Sequence, residues 1–143
     1  MRIMGLDLGT RRIGVAVSDE SATIAQGREN IGRKTDGLAV REILSLAEEM
    51  DVAEIVIGLP INMDGTEGAR ALDSRKFAEK LEKAGRFPVK FWDERMSTME
   101  AESVMLEADI SRRKRKKHID KLAAQIILQG YLDCRANLES DKR

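Results

Sequence analysis

Three acidic positions stand where carboxylate chemistry is possible: Asp7 closing the first apolar stretch, the pair Asp93-Glu94 closing a later one, and Asp120 opening the last long apolar segment. An unpartnered carboxylate buried at a strand end costs several kcal/mol, so each needs a cation, a proton or a turn to cap. The plainer roles are a turn-capping Asp7, an Asp93 or Glu94 paired with Arg95, and an Asp120 that complements a helix dipole. The chemical role is a shared cation site. Carboxylates are hard oxygen donors that suit Mg²⁺ or Mn²⁺, whereas zinc needs cysteine and histidine, and the chain has one of each. Two such ions can activate a water and stabilise a leaving oxygen in phosphodiester hydrolysis. Alternation along Val89 to Glu94 groups Asp93 with Val89 and Phe91, and Glu94 with Lys90 and Trp92, leaving open which acid faces the site.

Cations and amide-rich turns accompany these acids. Gly9-Thr10-Arg11-Arg12 directly follows Asp7, a turn whose N–H groups and guanidinium groups suit a phosphate. Gly58 to Thr66, with Asn62 at its centre, leaves an apolar strand as a polar loop, and ligands of open α/β folds bind at such ends. Arg112, Arg113, Lys114, Arg115, Lys116 and Lys117 form an unbroken basic run leading into Asp120. Lys plus Arg total 25 and Asp plus Glu total 25, so the chain is neutral overall and its positive field is local to this run. Beside a cation-holding carboxylate, the run would draw a polyanion towards the bound ion.

The elements that must carry these residues can be read from periodicity. Arg2 to Asp7, Ile13 to Ser18 and Thr23 to Ile31 read as three short strands with tight turns between them, hence an antiparallel meander. Thr35 or Asp36 caps a helix with Val40, Ile43, Leu44, Ala47 and Met50 inward, and Ile55-Val56-Ile57 reads as a buried strand. A second helix is predicted from Glu67 to Ala84, with Phe77, Ala78, Leu81 and Ala84 inward and Gly85 as its stop. Val89 to Glu94 is a fifth strand. Ser97 and Glu100 form a capping-box pattern for a helix with Ala101, Val104, Met105 and Ala108 inward. The basic run then reads as a loop before a last helix from about Ile119 to Asn137, with Ile119, Leu122, Ala123 and Ile126 on one face. This order gives an α/β class, a five-stranded mixed sheet flanked by helices, and is the pattern of the ribonuclease H-like fold.

A length of 143 residues, 42% hydrophobic and 35% charged, predicts one domain over 1–138 with a polar tail at 139–143, and excludes disordered, collagenous and membrane-bundle classes. No apolar run approaches a membrane span and the start carries Asp7, so neither a signal peptide nor a transmembrane helix is expected. The single Cys134 fits a reducing, cytoplasmic setting.

Four blocks together resemble a known family: Gly5 to Asp19, Ile57-Gly58-Leu59-Pro60 running on to Gly68, Asp93-Glu94-Arg95-Met96-Ser97-Thr98, and Asp120-Lys121-Leu122-Ala123-Ala124. In order and spacing they are similar to the YqgF (RuvX) family, described as nucleases of the pre-16S ribosomal RNA and related to Holliday junction resolvases of the RuvC type. The resemblance implies metal-dependent phosphodiester cleavage in the bacterial cytoplasm and a role in ribosome biogenesis. It carries the acidic site onto Asp7, Glu94 and Asp120, as catalytic and metal-holding residues. Met96 stands where the family more often has leucine. Two features depart from the RuvC relatives: Ala123 stands where their last helix tends to add an acid, and Gly58-Leu59-Pro60 stands where their second acid leaves the fourth strand.

The expectation is an endonuclease in which Asp7, Glu94 and Asp120 hold Mg²⁺ or Mn²⁺, while Thr10, Arg11, Arg12, Asn62, Arg95 and the basic run at 112–117 hold the nucleic-acid backbone. Its partners would be structured RNA and ribosomal precursor particles, with branched DNA as the rival substrate; no membrane is implied, and either a monomer or a homodimer is compatible. Two other classes are carried alongside. Asp7-Leu8-Gly9-Thr10 also resembles the phosphate loop of actin-like ATPases and sugar kinases, although those close two such domains on ATP and this length supplies one. A non-catalytic RNA-binding assembly factor would keep the acids for folding or weak metal binding.

Overall fold

The computed structural model describes residues 1–96 and 112–141, with side chains described from 1–96 and 122–138. The three meander strands form as the sequence predicts: β1 (Arg2–Leu8), β2 (Arg12–Ser18) and β3 (Ala25–Gly32) pair antiparallel in succession. Helix α1 (Asp36–Glu49) follows, with the Thr35 side chain accepting from the Leu38 N–H. Strand β4 (Val52–Leu59) then returns parallel to β1, α2 (Ala69–Ala84) crosses over, and β5 (Val89–Asp93) adds parallel to β4. The sheet order is β3-β2-β1-β4-β5, which puts the carboxyl ends of β1, β4 and β5 side by side.

Helix α2 starts two residues later than predicted, capped by Gly68, because Glu67 bridges to Ile61 and its carboxylate binds Arg75. Phe77, Ala78 and Leu81 are buried as predicted, but Ala84 is exposed in the last turn. The predicted helix opening at Ser97 lies outside the described residues.

The last helix, α3 (Arg112–Asp141), corrects two expectations. The basic run is not a loop ahead of it: Arg112 to Lys117 occupy its first turns, and Asp120 sits in its third turn rather than its first. Arginine and lysine are good helix formers, and neither glycine nor proline interrupts 112–121, so the chain winds on despite an unfavourable dipole at the cationic end. The dipole therefore gives no account of Asp120. The buried stripe is also out of phase with the prediction: Ala124, Ile127, Leu128 and Leu132 are buried, while Leu122, Ala123 and Ile126 are half-buried and Ile119 lies outside the described side chains.

The two faces of the sheet explain that phase. Met4, Leu6, Leu8, Ile13, Val15, Ile55 and Ile57 point to one face and pack against Val40, Ile43, Phe77 and Leu81 of α1 and α2. The opposite face carries Ile3, Ala16, Ala25 and Val56, with Gly5 among them, and receives α3. A Cβ on Gly5 would lie 2.7 Å from the Leu128 Cβ, so the helix seats against bare backbone. The half-apolar sequence of α3 has several candidate stripes; only the one that fits this glycine and alanine surface packs closely. Tyr131 fixes the far end by donating to Glu54 on β4 at 2.8 Å, and burial with that hydrogen bond pushes its phenol up to about 12. Among the described residues, no helix is long and apolar enough to cross a membrane.

Candidate active site

Asp7 shares the α3 face of β1 with Ile3 and Gly5, and Gly14 stands opposite it on β2. On β5, Trp92 packs against Gly130 of α3, and Glu94 opens the short 3-10 turn, Glu94–Met96, that directly follows the strand. The two acids part at this turn, which strand alternation does not govern: Glu94 meets Asp7, whereas Asp93 turns to Arg95.

The space for Glu94 is made by Gly58. This residue lies opposite Trp92 in the β4–β5 register, and a Cβ there would lie 3.0 Å from Glu94 Cγ and 2.5 Å from Ile127 Cδ1. Sequence reasoning placed Gly58 at the start of a polar loop, where the RuvC relatives carry an acid; the missing side chain is a cradle for Glu94.

Burial is the first reason that the Glu94 carboxyl rises from its ordinary 4.5 to about 7, and the Asp7 charge is the second. The Arg70 guanidinium opposes both, and it also donates to the Leu8 carbonyl at 3.5 Å. Two carboxyls thus meet at the carboxyl ends of β1 and β5, and burial beside Asp7 lets Glu94 hold a proton near neutrality. Such a pair is a fitting donor set for a hard divalent ion. No group of three histidine, cysteine or acidic residues gathers among the described residues. The side chain of Asp120 lies outside them, as do those of Arg112 to Lys117.

Beside Asp7 a cleft of about 450 Å³ is lined by Gly9, Thr10, Arg11, Arg12, Gly14 and Asn30, bringing the predicted phosphate turn to the acids. Asn62 and Arg95 sit together on a neighbouring rim, engaged with their own loop. The Asn62 side chain donates to Thr66 Oγ1 at 3.1 Å, Asp64 caps the Thr66 N–H, and Gly65 closes the turn with a φ of 88°. Arg95 donates to both Asp93 oxygens, at 2.9 and 2.7 Å to Oδ2, and reaches the Asn62 carbonyl at 3.5 Å. These contacts strap the loop after β4 to the end of β5.

Arg33, which no sequence signal singled out, holds the phosphate turn from behind. Its side chain is 8% exposed and stacks 5.2 Å over the buried Phe77 ring. It donates to Asp73 in a two-pronged contact at 2.7 and 2.8 Å, to Asp36 at 2.9 Å and to the Gly9 carbonyl at 2.9 Å, while its own N–H donates to the Arg11 carbonyl. Gly9 itself is pressed against this turn, since a Cβ there would sit 2.6 Å from the Arg12 carbonyl oxygen. Replacing Arg33 by methionine keeps the stem over Phe77 but removes the partner of Asp73 and of the Gly9 carbonyl and leaves Asp36 to Lys80 alone. The expected cost is about 1 to 2 kcal/mol, read from urea denaturation, together with faster amide exchange at Gly9 to Arg12. Unchanged stability and protection would show the clamp to be idle.

The RuvX family, described as Holliday junction resolvase, matches residues 1–134. A relative from Halothermothrix orenii, provisionally named pre-16S rRNA nuclease, is 56% identical over 133 residues, spanning 93% of this chain and 95% of the relative. One from Bacillus licheniformis with the same provisional name is 51% identical over 135 residues, spanning 93% and 97%. Among solved structures, T. thermophilus RuvC in complex with a Holliday junction substrate aligns with a TM-score of 0.57 at 12% identity, covering 96% of each chain. The fowlpox virus Holliday junction resolvase aligns with a TM-score of 0.56 at 11% identity, covering 94% of this chain and 99% of that one. At those identities the likeness establishes the ribonuclease H-like fold expected from the element order. The family match and the relatives establish the rest: the chain belongs to the RuvX family of resolvase-like nucleases.

Proposed function

We propose that this chain is a divalent-metal-dependent endonuclease that hydrolyses phosphodiester bonds of the 16S rRNA precursor in the cytoplasm. The observation that carries the reading is the Asp7–Glu94 contact above the Gly58 cradle, two carboxyls brought together at the carboxyl ends of β1 and β5. Asp120 is the proposed third donor. Residues 132, 128 and 124 line the sheet-facing side of α3, and one more turn, a rise of about 6 Å, reaches position 120. On β1 the step from Gly5 to Asp7 covers about 7 Å in the same direction, because Tyr131 and Gln129 bind at the opposite end of the sheet.

Asp7, Glu94 and Asp120 would hold Mg²⁺ or Mn²⁺, and a bound ion would supply Lewis-acid polarisation of the phosphate and activation of a water. The protein's own groups do the rest. Asp7 and Glu94 fix the position of the attack. Thr10, Arg11 and Arg12 line the adjoining cleft, where backbone and guanidinium donors suit phosphate oxygens. The first turns of α3 carry the basic run that attracts the polyanion. Arg95 and Asn62 contribute the shape of the rim, and a phosphate contact by Arg95 would exchange with its hold on Asp93.

The test is multiple-turnover cleavage of a labelled precursor 16S rRNA fragment, with EDTA added and Mn²⁺ then restored. Cleavage should vanish and return, and Mn²⁺ binding followed by electron paramagnetic resonance should strengthen as pH rises through about 7, where Glu94 gives up its proton. Binding of the fragment without cleavage under any ion would favour an assembly factor, and cleavage indifferent to EDTA would remove the metal site.

A further inference from the structure

A second cleft, of about 510 Å³, opens on the other side of the Gly9-Thr10 turn, on the face of the sheet that carries α1 and α2. Thr10 lines both clefts and so forms the ridge between them at the end of β1. The charges in the second cleft are unequal in availability. Arg33 is consumed by Asp36 and Asp73, and Asp36 also binds Lys80 at 2.8 Å, so these acids are neutralised from within the protein. Lys34 is exposed and has no ion-pair partner among the described residues. Arg70 is also exposed and reaches from the first turn of α2 to the Leu8 carbonyl, beside the Asp7–Glu94 pair. The amino-terminal ends of α1 and α2 line the same cleft through Thr35 and Ala69 and add positive dipole ends to these two cations.

We propose that Lys34 and Arg70 seat a phosphate of the RNA backbone in this second cleft, so that the strand crosses the end of the sheet over Thr10 with cations on both sides of the acidic pair. The proposal rests on the nuclease reading and extends it to the path of the substrate. A strand held only from the α3 side would pivot about the basic turns. A second anchor beyond Thr10 fixes which phosphodiester lies at Asp7.

The experiment measures binding of a labelled precursor 16S rRNA fragment to protein carrying Asp7→Asn, so that no cleavage intrudes, over a series of KCl concentrations. Adding Lys34→Ala and Arg70→Ala together should weaken binding about tenfold at moderate salt and reduce the slope of log affinity against log salt by between about 0.7 and about 0.9, one phosphate's worth. Lys34→Arg with Arg70→Lys should restore the slope. Lys83→Ala, the loss of one exposed cation elsewhere on α2, should change neither quantity. An unchanged slope overturns the proposal, whether affinity falls or not, because ionic contacts must register in it. Failure of the nuclease reading is seen separately, as absence of cleavage by protein that retains Asp7.

Discussion

Asp7→Asn is expected to lower the rate of precursor cleavage by at least about 10³-fold while leaving RNA affinity at or above that of the parent. Asparagine keeps the shape of the side chain on β1, so Gly14 opposite and Gly5 beneath α3 are undisturbed. What it removes is the formal charge that a hard cation requires, together with a repulsion that an incoming phosphate must overcome. The same change should ease the Glu94 carboxyl back towards its ordinary 4.5, though only in part, because burial outweighs the Asp7 charge in raising it. Single-turnover rates, with binding measured in parallel, check both halves. Parent-like cleavage by the Asn variant would remove Asp7 from the chemistry.

Glu94→Gln should be equally inactive and, in the metal-free protein, more stable than the parent above neutrality. The sign follows from the protonation of Glu94, which is easier in the folded chain than in the unfolded one. The folded state therefore binds the extra proton between about 4.5 and about 7. The stability associated with that proton is full below 4.5 and is lost as pH climbs through about 7, where folding must confine an ionised carboxylate beside Asp7. Glutamine presents a neutral donor to Asp7 at every pH and escapes the loss, a gain of up to about 2 kcal/mol at pH 8 once solvent screening is allowed for. Urea denaturation in EDTA from pH 5 to 8 should show the parent falling away from the variant. Mn²⁺ should close the gap by stabilising the parent alone, since only it retains both charges. Parallel curves would mean that Glu94 is not confined as described. A residue whose removal strengthens the empty fold is one kept for what it binds.

Asp7 and the Asp93-Glu94 pair were legible as strand-end acids because charge at the end of an apolar run is costly and therefore informative. The meander was equally plain, since its turns are too short for anything but antiparallel neighbours, and Thr35 marked the start of α1 by its hydroxyl. Alternation alone did not decide between Asp93 and Glu94, because the strand ends between them in a 3-10 turn and the face that receives α3 is set by Gly130, nearly forty residues further on. The phase of α3 was hidden for a related reason: its complement is the bare backbone of Gly5, which leaves no hydrophobic signal. Its start was misread because helix propensity and dipole oppose each other along Arg112 to Lys117, and propensity prevailed. Arg33 was invisible since its partners, Gly9, Asp36 and Asp73, come from three separate parts of the chain. Such a clamp exists only once the fold has formed.

The vacancy left by the absent side chain of Gly58 has a consequence for how this architecture can change. Any residue larger than glycine at that position would claim the volume in which the Glu94 stem lies, with Ile127 closing the other side. An acid supplied from β4 at position 58 and an acid supplied from beyond β5 at position 94 are therefore mutually exclusive tenants of one compartment. A descendant that moved its second carboxylate from one strand to the other would have to make both replacements together, since either alone leaves the compartment doubly filled or without any acid.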